Sequence, residues 1–254
     1  MTTNTEGRTA FVSGGSRGIG KAIALGLAKS GSNVAINYTR DTEAAEETVA
    51  EIEALGKIAK AYQGNVADFK DCQRMVNSAL TDLGEISILI NNAGVASRGS
   101  LITDTSPEEI RKVVGVHVFG THNLCHLLVP QMREAERGDV IMISSVATES
   151  LSGRGAPYNM AKSAQEAIAF TLAKEERVHG IRVNIVGPGL VETDMGKRLV
   201  KATRGVENIR ELDEGSPFAK VCQPEDIADA VVFFCSEDAA YVTGQRLYVN
   251  GGSF

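Results

Sequence analysis

The segment that most limits the fold of this chain lies near its start, where an apolar run leads directly into a glycine-rich turn. The run Thr9–Val12 is typical of a buried strand, and Ser13-Gly-Gly-Ser-Arg-Gly-Ile-Gly20 follows it before a helical pattern begins. Glycine lets the backbone turn tightly and approach a ligand. The free N–H groups at a helix start favour an anion. The segment therefore predicts a β-α unit with an anion site at its turn.

The glycine spacing alone does not decide between two interpretations of this turn. Gly14, Gly18 and Gly20 follow the pattern G-x-x-x-G-x-G, which differs from the G-x-G-x-x-G dinucleotide fingerprint. A glycine-rich connection that serves only to reverse the chain explains the turn equally well. Residues further along the chain must therefore distinguish the two.

Strand and helix patterns alternate along the chain, and most strands are apolar on both faces. The predicted strands are Thr9–Val12, Asn33–Tyr38, Ala59–Gly64, Ile86–Asn91, Val140–Ile143, Ile181–Val186 and Gln245–Val249. The predicted helices are Lys21–Ser30, Asp41–Leu55, Asp68–Leu83, a long helix opening with a capping box at Ser106 and Glu109, and Tyr158–Val178. This alternation predicts an α/β fold, a single Rossmann-type domain over residues 1–254 with a doubly wound parallel sheet.

Ligands of such sheets bind at the carboxyl ends of the strands, near the point where the strand order reverses. The glycine turn, Asn91, Ser145 and Pro188 should all fall at this edge. The polar, weakly periodic stretch at about 190–216 is either a lid over the substrate or an ordinary surface excursion.

Composition excludes several classes of protein. The four cysteines are isolated, so we expect neither a metal site nor a disulfide framework. They are typical of a protein in a reducing compartment. The polar start and the absence of an apolar run near ~18 residues predict a cytoplasmic protein that does not enter a membrane. The net charge of −6, with acidic and basic residues interspersed, argues against a nucleic-acid partner.

A second informative feature is the pair Tyr158 and Lys162, four residues apart on a predicted helix and therefore on one face. A fixed ammonium beside a phenol favours the phenolate and lowers the phenol pKa. Such a tyrosine can exchange a proton with a substrate oxygen. Taken alone, however, this spacing more often belongs to a surface pair without a function.

Taken together, these motifs resemble the short-chain dehydrogenase/reductase family over nearly the whole chain. The matching segments are Gly14–Gly20, Asn91-Asn-Ala-Gly94, Ser145, the Tyr158 and Lys162 pair, and Val186-Gly-Pro-Gly189 followed by Thr193. Within the family the chain is most similar to 3-oxoacyl-(acyl carrier protein) reductases, on the glycine turn, Glu192-Thr-Asp-Met195, Val242-Thr-Gly-Gln245 and Val249-Asn-Gly-Gly252. Several sibling reductases share these last features.

The resemblance implies a role for each catalytic residue. Tyr158 would protonate the carbonyl oxygen, or act as the base in reverse, while Lys162 would lower its pKa and hold the nicotinamide ribose. Ser145 would hydrogen-bond the substrate oxygen, and its neighbour Ser144 would be a strand-end hydroxyl. The fourth catalytic position, usually Asn, is His117 here. In relatives the Asn helps to hold a water that leads from the lysine to solvent, so the imidazole must perform that relay, disturb it, or be structural.

For the cofactor, the resemblance implies NADP(H). NAD-specific relatives carry a carboxylate at the end of the second strand, whereas this chain has Asn37 there, and Arg17 with Arg40 could pair with a 2′-phosphate. Asp41 would serve as a helix cap. The implied cofactor-binding residues are Gly14, Ser16, Arg17, Gly18, Ile19, Gly20, Asn37, Tyr38, Arg40, Asn65, Val66, Asn91, Ala93, Gly94, Tyr158, Lys162, Pro188, Gly189, Val191 and Thr193.

The expected activity is NADPH-dependent reduction of a 3-oxoacyl thioester, carried by acyl carrier protein or CoA. The alternatives are an alcohol dehydrogenase acting on a sugar, steroid or xenobiotic, and an NADP(H)-binding protein without turnover. Relatives also imply a homotetramer built through the two long helices and the C-terminal strand region. An acidic carrier would meet arginines beside the active-site mouth, for which the candidates are Arg133, Arg137 and Arg177. His179 stands where such reductases commonly carry another arginine.

Overall fold

All the predicted strands belong to one parallel sheet, which confirms the expected fold class. The computed structural model describes residues 4–253, and within them the strand order is β3-β2-β1-β4-β5-β6-β7. The strands are β1 Thr9–Val12, β2 Asn33–Tyr38, β3 Ala59–Gln63, β4 Ile88–Asn91, β5 Gly138–Ile143, β6 Ile181–Pro188 and β7 Arg246–Val249. The order reverses between β1 and β4, so the carboxyl ends of these strands form the crevice in which ligands of such sheets bind.

Helices cover both faces of the sheet and divide the apolar core into two layers. One layer lies under α1 and α9, and the other under α3, α5 and α7. The helices are α1 Gly18–Lys29, α2 Thr42–Ala54, α3 Phe69–Leu83, α4 Pro107–Val114, α5 Gly120–Met132, α6 Ala147–Ser150, α7 Ala156–Glu176, α8 Asp194–Arg204 and α9 Pro224–Cys235. Among residues 4–253, every helix is too short or too polar to cross a membrane.

The long middle helix is not continuous. A π-helical turn, Gly115–Phe119, joins α4 to α5 and carries His117. Ser106 caps α4 by accepting a hydrogen bond from the Glu109 backbone N–H at 3.2 Å, as predicted. The Glu109 carboxylate, however, accepts from the backbone of Arg98 at 2.6 Å, so the second half of the predicted capping box does not form there. Single π-helical turns of this kind are frequent at functional sites.

The stretch at 190–216 is largely helical. Thr193 caps the start of α8, where its hydroxyl accepts a hydrogen bond from the Gly196 N–H at 3.0 Å. A small apolar cluster of Val200, Ile209 and Val221 holds α8 against the segment that follows it. This stretch therefore packs as an ordered excursion, and its action as a lid stays a prediction.

Candidate functional site

The glycine turn after β1 is shaped by close backbone approaches. Gly14 and Gly18 have φ of 65° and 54°, which side-chain-bearing residues rarely adopt. A Cβ on Gly20 would lie 2.1 Å from the Gly14 carbonyl oxygen and 2.5 Å from Nδ2 of Asn92. These positions need glycine, and together they leave a backbone-lined cradle at the start of α1 that suits a pyrophosphate.

Asn92 and Ser13 join this turn to the end of β4. The Asn92 side-chain amide donates to the carbonyls of Ser13 and Gly14, at 2.9 Å and 3.1 Å. The Ser13 hydroxyl accepts from the backbone N–H groups of Asn92 and Ala93, at 2.9 Å and 3.0 Å. The two halves of the crevice are therefore held together by side chains that the sequence analysis did not single out. The only available signal was the adjacency of Asn92 to the recognised Asn91.

Asn37 has a different place from the one expected. Its side chain is buried, accepts a hydrogen bond from the Gly14 N–H at 3.3 Å, and donates to the Gly64 carbonyl at 2.9 Å. It therefore supports the glycine turn from beneath, and a contact of Asn37 with the cofactor stays a prediction. The exposed residues Arg17 and Arg40 flank this position, and neither makes an ion pair within residues 4–253. Asp41 caps α2 by accepting from the Ala44 N–H at 3.2 Å, as predicted.

The remaining predicted cofactor residues lie along the same crevice. Gly94 packs against His117, because a Cβ at that position would lie 2.6 Å from the imidazole Cε1. Pro188 ends β6, and a Cβ on Gly18 would lie 3.3 Å from the Thr193 methyl group, so the start of α8 touches the glycine turn. Asn65 accepts from the Ala67 N–H at 3.1 Å, which shapes the loop after β3. Asn91 ends β4, and its buried Oδ1 has no hydrogen-bond partner within the described chain.

The two serines after β5 point to different partners. The Ser144 hydroxyl is buried and donates to the carboxylate of Glu166 on α7. Ser145 accepts from the Ala147 N–H at 3.1 Å, and it is the hydroxyl whose hydrogen bonding lowers the pKa of Tyr158. Ser145 is therefore the serine beside the phenol, which is the arrangement expected from the resemblance.

Helix α7 carries Tyr158 and Lys162 into the crevice on one face, as the spacing predicted. Burial raises the pKa of Tyr158, while the hydrogen bond with Ser145 lowers it. Burial also lowers the pKa of Lys162 to about 7, and the Glu166 carboxylate acts in the opposite direction. The Lys162 ammonium lies 5.8 Å from the centre of the Tyr158 ring and donates to the Ile143 carbonyl and to Gln165. The pKa of the phenol is therefore raised overall, in contrast to the lowering expected from the ammonium.

His117 lies against the same phenol. Its ring meets Tyr158 edge to face, with centroids 5.4 Å apart and planes at 88°. Burial, together with the charge of Lys162, lowers the pKa of His117 to about 3. The imidazole Nε2 lies 2.9 Å from the Val95 carbonyl oxygen, whereas the buried Nδ1 has no hydrogen-bond partner in residues 4–253. The ring is therefore neutral, and a relay that requires it to take up a proton near neutral pH is disfavoured.

The three arginines proposed for carrier docking lie at the other edge of the sheet. Arg133 ends α5 and forms a two-pronged pair with Glu176, at 2.9 Å and 2.7 Å. Arg137 precedes β5 and pairs with Asp139 at 3.1 Å and with Glu237, and Arg177 lies just before β6. Because the strands are parallel, these residues lie opposite the crevice of their own chain. The expectation that they flank its mouth is therefore wrong within one chain.

Comparisons with known proteins agree with this geometry. A family model described as enoyl-(acyl carrier protein) reductase matches residues 14–253. The chain is 35% identical to the 3-oxoacyl-(acyl carrier protein) reductase FabG of Staphylococcus aureus, over 97% of this chain and 98% of that protein. It is 33% identical to an L-rhamnose 1-dehydrogenase (NAD(P)(+)) of a Sphingomonas species, over 98% of this chain and 97% of that protein.

Among solved structures, the chain is similar to a 7α-hydroxysteroid dehydrogenase complexed with NADH and 7-oxo glycochenodeoxycholic acid. The TM-score is 0.90 at 30% sequence identity, and the match covers 99% of this chain and 96% of that chain. Relatives that share one fold and one crevice thus act on different substrates.

Proposed function

The chain belongs to the short-chain dehydrogenase/reductase family of oxidoreductases, and we propose that it reduces a carbonyl to a secondary alcohol with NADPH. The proposed substrate is a 3-oxoacyl thioester carried by acyl carrier protein or CoA, and the product is the 3-hydroxyacyl thioester. We also infer that the protein acts in the cytoplasm as a homotetramer, in line with its free cysteines and with the open groove between α5 and α7.

One observation carries the proposal: a half-buried phenol with a serine hydroxyl and an ammonium beside it, at the carboxyl edge of the sheet. Tyr158 is the general acid that protonates the carbonyl oxygen, because its hydroxyl meets Ser145 in the crevice. Ser145 holds the same oxygen and stabilises negative charge as it develops. The positive charge of Lys162, 5.8 Å from the ring centre, favours the phenolate that proton transfer leaves behind.

The residues of the crevice fit a nicotinamide dinucleotide, which supplies the hydride when bound. The glycine cradle would hold the pyrophosphate, since Gly20 allows the turn to close tightly on the Gly14 carbonyl at the start of α1. Asn91 and Gly94 would line the nicotinamide side of the crevice, and Thr193 would close it beside Gly18. Lys162 would hold the ribose hydroxyls.

Two free guanidinium groups support NADPH over NADH. Arg17 at the start of α1 and Arg40 just after β2 are exposed, and within residues 4–253 no carboxylate pairs with either. Guanidinium groups form strong charge-assisted hydrogen bonds with a phosphate. Asn37 carries an amide at the position where NAD-specific relatives carry a carboxylate, so it does not repel a 2′-phosphate.

The thioester substrate is supported by relatives that are named 3-oxoacyl-(acyl carrier protein) reductases and match nearly the whole chain. A carrier protein would need a docking surface other than Arg133 and Arg137, whose charges are paired. The second candidate is an alcohol dehydrogenase acting on a sugar or steroid, which the rhamnose and steroid dehydrogenase relatives favour. The third, an NADP(H)-binding protein without turnover, has His117 as its only support.

The deciding experiment follows loss of NADPH absorbance with acetoacetyl-CoA, beside matched reactions with NADH and without substrate. Turnover that prefers NADPH and disappears in Tyr158→Phe supports the proposal. Turnover of only sugars or steroids in a substrate panel supports the second candidate. NADPH binding without turnover of any ketone or alcohol would overturn both and leave the binding protein.

A further inference from the structure

Gln165, one turn after Lys162 on α7, is a polar residue buried deep beneath the crevice. Its side chain is 1% exposed, and both ends of its amide are occupied. Oε1 accepts a hydrogen bond from the Lys162 ammonium at 3.0 Å, and Nε2 donates to the Thr121 hydroxyl at 2.9 Å. An ammonium can only donate, so it must face the amide oxygen, and this fixes the orientation of the amide.

The hydrogen-bond chain continues across to the π-helical turn. The Thr121 hydroxyl accepts from Gln165 and donates to the backbone carbonyl of His117 at 2.7 Å. Each donor along this path therefore meets an acceptor, from the ammonium to the carbonyl. The imidazole ring of His117 takes no part, because its Nε2 lies against Val95.

We propose that Gln165 is a positioning residue for Lys162, which holds the ammonium beside Tyr158 and links it through Thr121 to the His117 backbone carbonyl. This inference rests on the proposed function, since it concerns how the lysine of that site is held. It assigns position 117 a role through its carbonyl oxygen, which any residue at that position would supply.

Lys162 needs these hydrogen-bond acceptors because its ammonium is buried. A buried ammonium without acceptors loses its proton easily, and burial already lowers the pKa of this group to about 7. Gln165 and the Ile143 carbonyl are the acceptors that favour its charged form. The titratable groups around it are Tyr158 and Glu166 on α7, His117 on the π-helical turn, and Cys125 on α5 behind Asn91.

The simpler alternative is that Gln165 only satisfies buried polar groups between α7 and α5. Both explanations predict a loss of stability when the amide is removed. Only the positioning role predicts that the titration of Lys162 moves, and that it moves in opposite directions when the amide becomes apolar or acidic.

The test is the titration of Lys162, followed by NMR through its ¹³C-labelled ε-carbon and assigned by comparison with Lys162→Arg. Gln165→Leu should lower the Lys162 midpoint by about one pH unit, because an acceptor is lost. Gln165→Glu should raise it by about as much, because a carboxylate favours the ammonium. Gln131→Leu is the matched control, since within residues 4–253 that amide on α5 bonds only to its own helix at Leu127. The Lys162 midpoint in this variant should equal that of the wild type.

Thr121→Val provides a second route if Gln165→Leu fails to fold. It removes the partner of the amide N–H group, and it should lower the midpoint in the same direction by a smaller amount. Opposite shifts for the leucine and glutamate variants, or a downward shift for Thr121→Val, support the proposal. Coincident titrations of the folded variants and the wild type would overturn it. Because the readout is a proton on one lysine, it stands even if no carbonyl substrate is turned over.

Discussion

The ammonium of Lys162 lies 5.8 Å from the centre of the Tyr158 ring, and its hydrogen bonds within the described chain go to the Ile143 carbonyl and the Gln165 amide. The lysine thus acts on the phenol through space. Ser145 is the neighbouring hydroxyl whose hydrogen bonding lowers the pKa of the phenol.

Replacing Tyr158 by Phe should abolish turnover while leaving NADPH binding nearly unchanged, because one acidic oxygen is removed and the ring stays in place. We expect kcat to fall by at least about 100-fold, the range found for loss of a general acid. Steady-state rates and fluorescence titration of NADPH measure the two effects separately. A variant that keeps more than about a tenth of the wild-type rate would contradict the role of Tyr158 as the acid.

Replacing Lys162 by Met should stabilise the fold at neutral pH. The pKa of Lys162 is lowered to about 7 in the folded protein, against ~10.4 in an unfolded chain. Below the folded pKa both states are protonated and the cost of burying the charge is present in full. That cost disappears as the pH rises towards the unfolded value. The stability advantage of Lys162→Met, measured by thermal unfolding, should therefore shrink between pH ~7 and ~10; a constant advantage would contradict this.

Replacing His117 by Asn should not alter the pH profile of kcat/KM near pH ~6.5, the ordinary pKa of a histidine. Burial lowers the pKa of His117 to about 3, so the imidazole stays neutral throughout the working range and does not take up a second proton. We expect the two enzymes to differ by less than about tenfold, or 1.4 kcal/mol in the barrier. An acidic limb near pH ~6.5 present only in the wild type would show that the ring does titrate in the reaction.

The double variant Arg17→Ala and Arg40→Ala should weaken NADPH binding by about tenfold or more and leave NADH binding unchanged. Hydrogen bonds to a charged group contribute about 1.5–3 kcal/mol, and only NADPH carries the 2′-phosphate. Arg111→Ala is the control, since that exposed arginine on α4 pairs with Glu108. If NADH and NADPH binding weaken together, these arginines do not select the cofactor.

Replacing Asp139 by Asn should destabilise the fold and leave the activity of the folded enzyme unchanged. Asp139 is fully buried at the edge opposite the crevice, where it pairs with Arg8 at 2.7 Å, with Arg137 at 3.1 Å and with Arg182. Removing one partner of a buried ion pair typically costs about 3–5 kcal/mol. Urea unfolding should show this loss, whereas Asp229→Asn, on the exposed side of α9, should show none.

The sheet and the catalytic helix could be predicted from sequence because both depend on local patterns. Runs such as Val140–Ile143 are apolar throughout, as is typical of a doubly covered strand, and the spacing of Tyr158 and Lys162 places them on one helix face. Helix α9, which begins at Pro224 and contributes much of one core layer, was not predicted.

The contacts around Lys162 could not be predicted, because they depend on the docking of distant elements. Gln165 reaches Thr121 across 44 positions of the chain, and no local pattern indicates that pair. The burial of Asn37 depends on Met75 of α3 and on Gly64, which follows β3. The Asn37 amide donates to both. In the same way, Arg133 lies at the edge of the sheet opposite the crevice because of the direction in which α5 runs across the assembled sheet.

The π-helical turn at Gly115–Phe119 divides the long middle helix into two segments, α4 and α5, whose side chains are rotated relative to each other about the helix axis. Each residue of an α-helix advances the side chains by about 100°, so the wider turn rotates the apolar stripe of α5 away from the line that α4 would extend. Shortening this turn by one residue would change the phase of α5, which carries Thr121, relative to α4. The relative orientation of α4 and α5 therefore depends on the length of this turn, rather than on the identity of residue 117.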